Sequence, residues 1–388
     1  MRCAHLGEVS SLSNSFPVDG YVDSRFRGVK EAFSDNFESY GELGASLCVM
    51  VGGEVVVDLV GGWTDTGRMQ PWLPHTLVNS FSVGKGILSI LLALALSESR
   101  VSPEASVGSI WPEMSHSSVG ALSLREIAGH RAGLPAVSAE LSPTDVYNWN
   151  HMVQALVEQE PWWNPGTAHG YHVNTFGFLI GEILCRIRGQ SHTQLLDPLR
   201  DYITDQMYWG VPMSQHERVA TLYWNRDTAS SSTSTAQIVP SMLSLTYNNP
   251  SNFSGAGAVN SPAWRNCVHP STNLHATAKG VARAYEVLRS CAHPVDVSVL
   301  ECATTTVSLG SDVILGSDTH FGMGFQLPTA HRRFGPNNAA YGHYGAGGSM
   351  GFCDPTADIT VGYVMNQMGA GWQNSRNQSL IKAIFSSL

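Results

Sequence analysis

Two β-hairpin signals stand near opposite ends of this chain, and their separation constrains the fold more than any other feature. Ala45 to Val51 and Glu54 to Leu59 are apolar, strand-like runs joined by Gly52-Gly53. Far downstream, Gly348 to Cys353 and Ile359 to Met365 flank a turn at Asp354-Pro355. Between them the apolar pattern is helical: Gly84 to Leu96, Leu124 to Ala128 behind a capping Ser123, Phe176 to Ile187 closed by Gly189, and Ala276 to Leu288. Val22 to Phe37 reads as an amphipathic helix before the first hairpin, and Ser379 to Leu388 as a closing helix. The expected fold is therefore an α/β (α+β) sandwich: one mainly antiparallel sheet built from both termini, flanked by helices, with an inserted helical lobe. Residues 1–80 and 285–388 form the sheet domain in this reading, and 81–284 the helical domain. A Ser/Thr/Asn-rich stretch at 226–260, with Ser230 to Thr235 at its heart, is expected to be a long mobile loop.

Composition narrows the function. Charged residues make up only 14% of the 388, the net charge is −9, and no Lys/Arg cluster exists for nucleic acid to bind. The longest apolar run, Ile87 to Leu96, is too short to span a bilayer, which takes ~18 residues. Met1 to Val9 lacks the apolar segment of a secretory signal, so a cytoplasmic protein is expected. Seven cysteines, an odd number without C-x-x-C spacing, read as free buried thiols. His169 and His172 lack an acidic or Cys partner at ligand spacing, so neither metal nor cofactor is expected.

Three short segments carry chemistry. Ser82-Val83-Gly84-Lys85 opens the apolar helix and puts a hydroxyl and an amine on one face, near a helix amino terminus that favours developing negative charge. Helix capping alone often produces this pattern. Tyr171 follows the Pro165-Gly166 turn; near a lysine, a phenol can be lowered in pKa and relay a proton. His343-Tyr344-Gly345-Ala346-Gly347-Gly348-Ser349, just before a strand, offers glycine-rich backbone whose N–H groups can approach a substrate. A competing pattern, Gly347-Gly348-Ser349-Met350-Gly351, satisfies G-x-S-x-G. That arrangement needs a histidine downstream, and none follows Ser349.

In this order the three segments resemble the serine β-lactamase and penicillin-binding protein superfamily: S-x-x-K, a tyrosine motif, then a K-T-G-like element. They are most similar to class C β-lactamases and family VIII carboxylesterases, where H-x-G can stand for K-T-G. Gly129 to Pro135 resembles the family's H-x-x-G-L-P segment, and Phe321 to Phe325 and Gly362 to Asn366 its late strands. The resemblance covers roughly residues 25 to 385 and implies a β-lactamase/transpeptidase-like fold. It implies Ser82 as nucleophile, Lys85 as its proton partner, Tyr171 as general base, and an oxyanion hole from the N–H groups of Ser82 and Ala346. His343 and Gly345 would line the site, with His172 in contact with a small-molecule acyl ester or amide. Val173 stands where Y-x-N has asparagine, and His343 where K-T-G has lysine, which argues against lactam hydrolysis. A carboxylesterase is expected. An acyltransferase, a β-lactamase or D-aminopeptidase, and a non-catalytic acyl-binding protein are the alternatives. Trp162, Trp163, Trp209 and Trp264 are candidates for an acyl pocket wall.

Overall fold

The computed structural model describes residues 16–224, 241–290 and 295–388. Its amino-terminal part supplies strand β1 (Val18–Val22), helix α1 (Arg27–Ser39), and strands β2 (Gly44–Val51) and β3 (Glu54–Gly62). Its carboxy-terminal part supplies β4 (Tyr341–Tyr344), β5 (Met350–Asp354) and β6 (Ile359–Met365). Together they form one antiparallel sheet in the order β1-β3-β2-β6-β5-β4. Both expected hairpins are present. Gly52 and Gly53 have φ of 58° and 90°, the left-handed pair that a tight two-residue hairpin turn requires. The two ends of the chain meet where β2 pairs with β6, Gly362 opposite Cys48.

Strand alternation sorts the sheet into two faces. His343, Gly351, Gly362, Cys48 and Asp58 are cross-strand partners in one row and share a face. Helix α2 (Val83–Ser99) and helix α4 (Ala278–Arg289) pack on it; α3 (Phe176–Arg188), between them in sequence, packs beyond α2. Two glycines set how closely α4 approaches. A Cβ at Gly362 would lie 2.1 Å from the Ala278 carbonyl oxygen, and one at Gly351 would lie 2.4 Å from Val281. On the opposite face Gly61 meets Phe33 and Phe37 of α1, and helix α5 (Ser375–Ser387) lies beside α1. Every residue of α2 from Val83 to Ser97 is buried, as expected of a helix apolar on all sides. It touches the sheet at β4 and β5, and α3 on its other flank. Its amino terminus thus opens at the junction of sheet and inserted lobe.

The structure differs from the sequence expectations in several places. The helix expected from Val22 begins only at Arg27; Val22 pairs with Val57 at the sheet edge, and Asp23 caps a short turn at Ser24–Phe26. The closing helix starts at Ser375 instead of Ser379, because Asn374 and Asn377 form a reciprocal cap. His343, expected ahead of a strand, lies within edge strand β4. The loop expected at 226–260 is corrected in its described second half, where Met242–Asn248 and Ala256–Val259 are helical. Residues 225–240, with Ser230 to Thr235, lie outside the described residues, as do Met1 to Val9, Cys3 and Cys291. The division at 284/285 falls inside α4, which packs on the sheet. Cys48, Cys185, Cys267, Cys302 and Cys353 are free thiols. Among the described residues no helix is long and apolar enough to cross a membrane.

Candidate active site

The turn into α2 is shaped unusually for a helix start. Phe81 has φ of 49°, a left-handed backbone that bulky residues rarely adopt, and it immediately precedes Ser82. Ser82 is the residue before the first helical turn, yet its φ/ψ of −70°/−2° is helical and its hydroxyl caps no backbone N–H. Helix capping, the ordinary reason for a serine here, is therefore not its task. The hydroxyl is instead 3.2 Å from the Lys85 amine, one helical turn on.

Lys85 is completely buried and, among the described residues, faces no carboxylate. Its Nζ donates to the main-chain carbonyls of Val173 (2.7 Å) and Ser271 (3.0 Å). Burial pushes its pKa well below that of an exposed lysine. A neutral amine has two N–H groups and one lone pair. When the amine is neutral, the two carbonyls take its N–H groups, which leaves the lone pair for the Ser82 hydroxyl. Val173 thus serves the site through its backbone, and the side chain that replaces asparagine there is free to be apolar. Asn174, the next residue, reaches away to the Thr246 carbonyl (2.8 Å).

Tyr171 stands on irregular backbone, held from behind. Its N–H bonds both oxygens of buried Asp312 (3.1 and 3.0 Å), which also accept from Ile314, Leu315 and the Thr319 hydroxyl. Phe321 stacks on its ring at 5.9 Å, while His130 and Trp372 press edges against it, each at 5.1 Å. Burial pushes the phenol well above its usual pKa, opposed chiefly by the facing Ser82 hydroxyl, although the two stop short of a hydrogen bond of good geometry. The expectation of a phenol lowered by lysine is therefore corrected: burial outweighs the neighbouring amine, although Lys85 sits 4.8 Å from the ring centre.

The third wall is the turn after β4. Gly345 approaches so closely that a Cβ there would lie 2.2 Å from the Ser80 carbonyl oxygen, which brings the turn against the segment leading to Ser82. The Gly348 N–H holds the Gly345 carbonyl (3.2 Å), the other end of the peptide that carries the Ala346 N–H. The first amides of α2, from Val83 to Lys85, bond back to Ser80, Phe81 and Ser82. Among the described residues the N–H groups of Ser82 and Ala346 carry no such bond, and both residues line a cleft of about 500 Å³. Two N–H groups free to face one cleft are what an oxyanion hole requires.

His343 is fully buried, and its Nδ1 donates to the Tyr344 carbonyl (2.7 Å), which leaves Nε2 an unpartnered acceptor. Burial lowers its pKa well below the usual value, so it brings a neutral ring and not a cation beside Tyr171, at 6.0 Å. The substrate contact expected of His172 is corrected: Nε2 accepts from the Leu134 N–H (3.1 Å), Nδ1 meets the Gly170 carbonyl (2.6 Å), and the ring is a strut between loops. His169 is likewise engaged, with the Thr319 hydroxyl at 2.9 Å. Ser349 is buried just before β5 with its hydroxyl unpartnered, far from a nucleophile elbow in form.

The cleft's aromatic wall is Phe81, Trp224, Tyr247 and Trp372, with Val173 and Met368. None of the four tryptophans expected there contributes. Trp264 is enclosed by Phe253 and His269, and Trp162 and Trp163 donate to the Ala136 and Ala168 carbonyls. Sequence reading missed Asp312, Ser271 and Trp372. Only Asp312 carried a signal, a Ser311-Asp312 pair in a glycine-flanked turn.

Known proteins share this fold. The Esterase/beta-lactamase LipL of Mycobacterium tuberculosis (strain ATCC 25618 / H37Rv) is 25% identical over 366 residues, covering 90% of this chain and 83% of that protein. The crystal structure of a family VIII carboxylesterase superposes with a TM-score of 0.87 at 30% identity, over 96% of this chain and 100% of that one. A penicillin-binding protein homologue from Caulobacter crescentus gives 0.85 at 31%, with the same coverage. The family model described as Beta-lactamase matches residues 29–384, sheet and inserted lobe alike, and so the chain belongs to the beta-lactamase family.

Proposed function

We propose that this protein is a serine carboxylesterase that acylates Ser82 and transfers the acyl group to water. One observation carries the reading. The Ser82 hydroxyl, unused as a cap, faces a buried lysine amine that is held by two main-chain carbonyls and by no carboxylate among the described residues. The Ser82 proton then moves to the Lys85 lone pair as Oγ attacks the ester carbonyl, and the carbonyl oxygen takes its negative charge between the N–H groups of Ser82 and Ala346. Tyr171, a neutral phenol, gives its proton to the departing alkoxide and recovers one from Lys85. Water repeats the sequence in reverse roles to free the acid. This assigns the first proton acceptance to Lys85 and makes Tyr171 the acid of acylation, where the sequence motif alone had suggested a tyrosine base. The relatives named esterases support the choice of ester, and so does a cleft lined by Val173 in place of an amide anchor, with a buried, neutral His343 stacked beside Tyr171 in place of a cation.

The test is a direct comparison of substrates. p-Nitrophenyl butyrate should be cleaved with release of butyrate, and a fluorophosphonate should label Ser82, located by peptide mass. Cephalosporin turnover exceeding butyrate turnover, or label on any other residue, would overturn the assignment.

A further inference from the structure

Behind the oxyanion turn lies a charged pair that the reaction does not touch. Glu42, fully buried between α1 and β2, accepts from Arg376 Nη1 (2.7 Å) and from the Tyr363 hydroxyl. Arg376, in the first turn of α5, is 4% exposed and spends its other nitrogen on the carbonyls of Gln367 (2.7 Å) and Gly347 (3.4 Å). The Gly347 carbonyl also accepts from Asn374 Nδ2 (3.1 Å) and the Gly369 N–H (2.9 Å), and the Gly348 carbonyl from Asn377 Nδ2 (2.9 Å). Gly347 itself has φ of 83°, and its N–H bonds the Gly371 carbonyl (3.1 Å). A turn with no side chain of its own to anchor it is thus gripped at successive carbonyls from the start of α5. The grip ends on a carboxylate more than three hundred residues away in sequence.

From this we infer that Glu42, acting through Arg376, is a positioning residue for the oxyanion hole: it fixes the turn that presents the Ala346 N–H. A buried guanidinium keeps a single orientation only while its charge is matched in place, and Glu42 is the carboxylate that matches it. Oxyanion stabilisation depends on donors already aimed at where charge develops, so a slack turn loses rate without losing substrate. The inference rests on the proposed use of Ala346 N–H in ester hydrolysis.

The experiment uses the full chain in three forms: wild type, Glu42→Gln, and Glu42→Gln combined with Arg376→Met. The double variant removes both charges together and so avoids an unpaired buried ion, which keeps folding measurable by thermal melting. With p-nitrophenyl butyrate, kcat should fall by about tenfold to a hundredfold in both variants, a part of the full loss of one oxyanion donor, while KM stays within about threefold. The inhibition constant of a trifluoromethyl ketone, which forms a tetrahedral oxyanion on the serine, should weaken by the same factor as kcat. A merely structural pair would instead lower Tm and leave kcat per folded molecule and ketone affinity unchanged. A double variant with wild-type kcat, or one whose loss appears in KM alone, overturns the inference. Undiminished esterase activity in Ser82→Ala would remove the hydrolase reading and this inference with it, whereas normal dependence on Ser82 with an unaltered double variant removes this inference only.

Discussion

One side of the cleft is held by a helix and the other by loops. Ser82 stands at the mouth of α2 and Lys85 in its first turn, and the helix's buried, apolar body fixes their spacing through backbone hydrogen bonds alone. Tyr171 and the Ala346 N–H stand on irregular backbone, and there the geometry comes from buried polar side chains: Asp312 behind Tyr171, Asn374 and Arg376 behind the glycine turn. A helix turn places two groups correctly for any sequence that packs it. A loop does so only if specific acceptors and donors are supplied from elsewhere. The helical side should therefore fail only when a reacting group is removed, whereas the loop side should also fail when a distant support is removed.

The largest effect is expected on the helical side. Ser82→Ala should abolish turnover of p-nitrophenyl butyrate, and Lys85→Met should cost nearly as much, because members of one catalytic unit are non-additive. Residual activity in Lys85→Met within tenfold of wild type would deny the amine its role. The same amine sets a pH limb. Its neutral form is the active one, so kcat/KM should fall as pH drops through its depressed pKa and hold steady on the alkaline side. Tyr171→Phe follows, with kcat lower by at least ~10²-fold and an unaltered melting temperature, since only the phenol oxygen goes.

Next comes the support that no substrate touches. Asn in place of Asp312 offers one acceptor oxygen where three N–H groups and a hydroxyl now converge on two. We expect Asp312→Asn to lower kcat by about tenfold and to lower Tm as well, from the unpaired groups left behind. Full activity in a well-folded Asp312→Asn protein would break the contrast between the two sides.

Acid should find the loop side too. Burial holds His172 and His269 near pKa about 3, and His130 well below its usual value. The unfolded chain binds protons at these rings below pH ~6.5 and the folded chain does not. Stability is thus complete above that pH and lost progressively as pH falls toward 3, by about 1.4 kcal/mol per pH unit for each histidine. Denaturant melts at pH 7 and pH 5 would check this; equal midpoints would refute it. The smallest effect should be Ser349→Ala, within about twofold of wild-type activity, because its buried hydroxyl has no partner to lose.

Legibility in the sequence divides along the same line. The Gly52-Gly53 hairpin, α2 and the Ser82/Lys85 spacing were readable because each is a local pattern with a fixed period. Val22, the last residue of strand β1, reads as the start of a helix because Val22, Phe26, Val29 and Phe33 keep helical spacing across the strand's end. Glu42 and Arg376 are invisible for a different reason, and the turn signal at Asp312 says nothing of what its carboxylate holds. A single charged residue announces nothing until tertiary structure buries it, and each is buried by segments remote in sequence. His172 misled because adjacency to Tyr171 in sequence was taken for adjacency to substrate, whereas the backbone turns the ring onto Leu134 and Gly170.

The lone pair on Lys85 has one more consequence. Carbonyl dipoles, not a carboxylate, hold this amine, and among the described residues no counter-ion stands beside it. Dissolved salt weakens attraction between exposed ions over a Debye length of about 10 Å at 0.1 M, but it has little purchase on a proton shared among neutral, buried groups. Acylation of an uncharged ester at Ser82 should therefore run at nearly the same rate in dilute buffer and in strong brine.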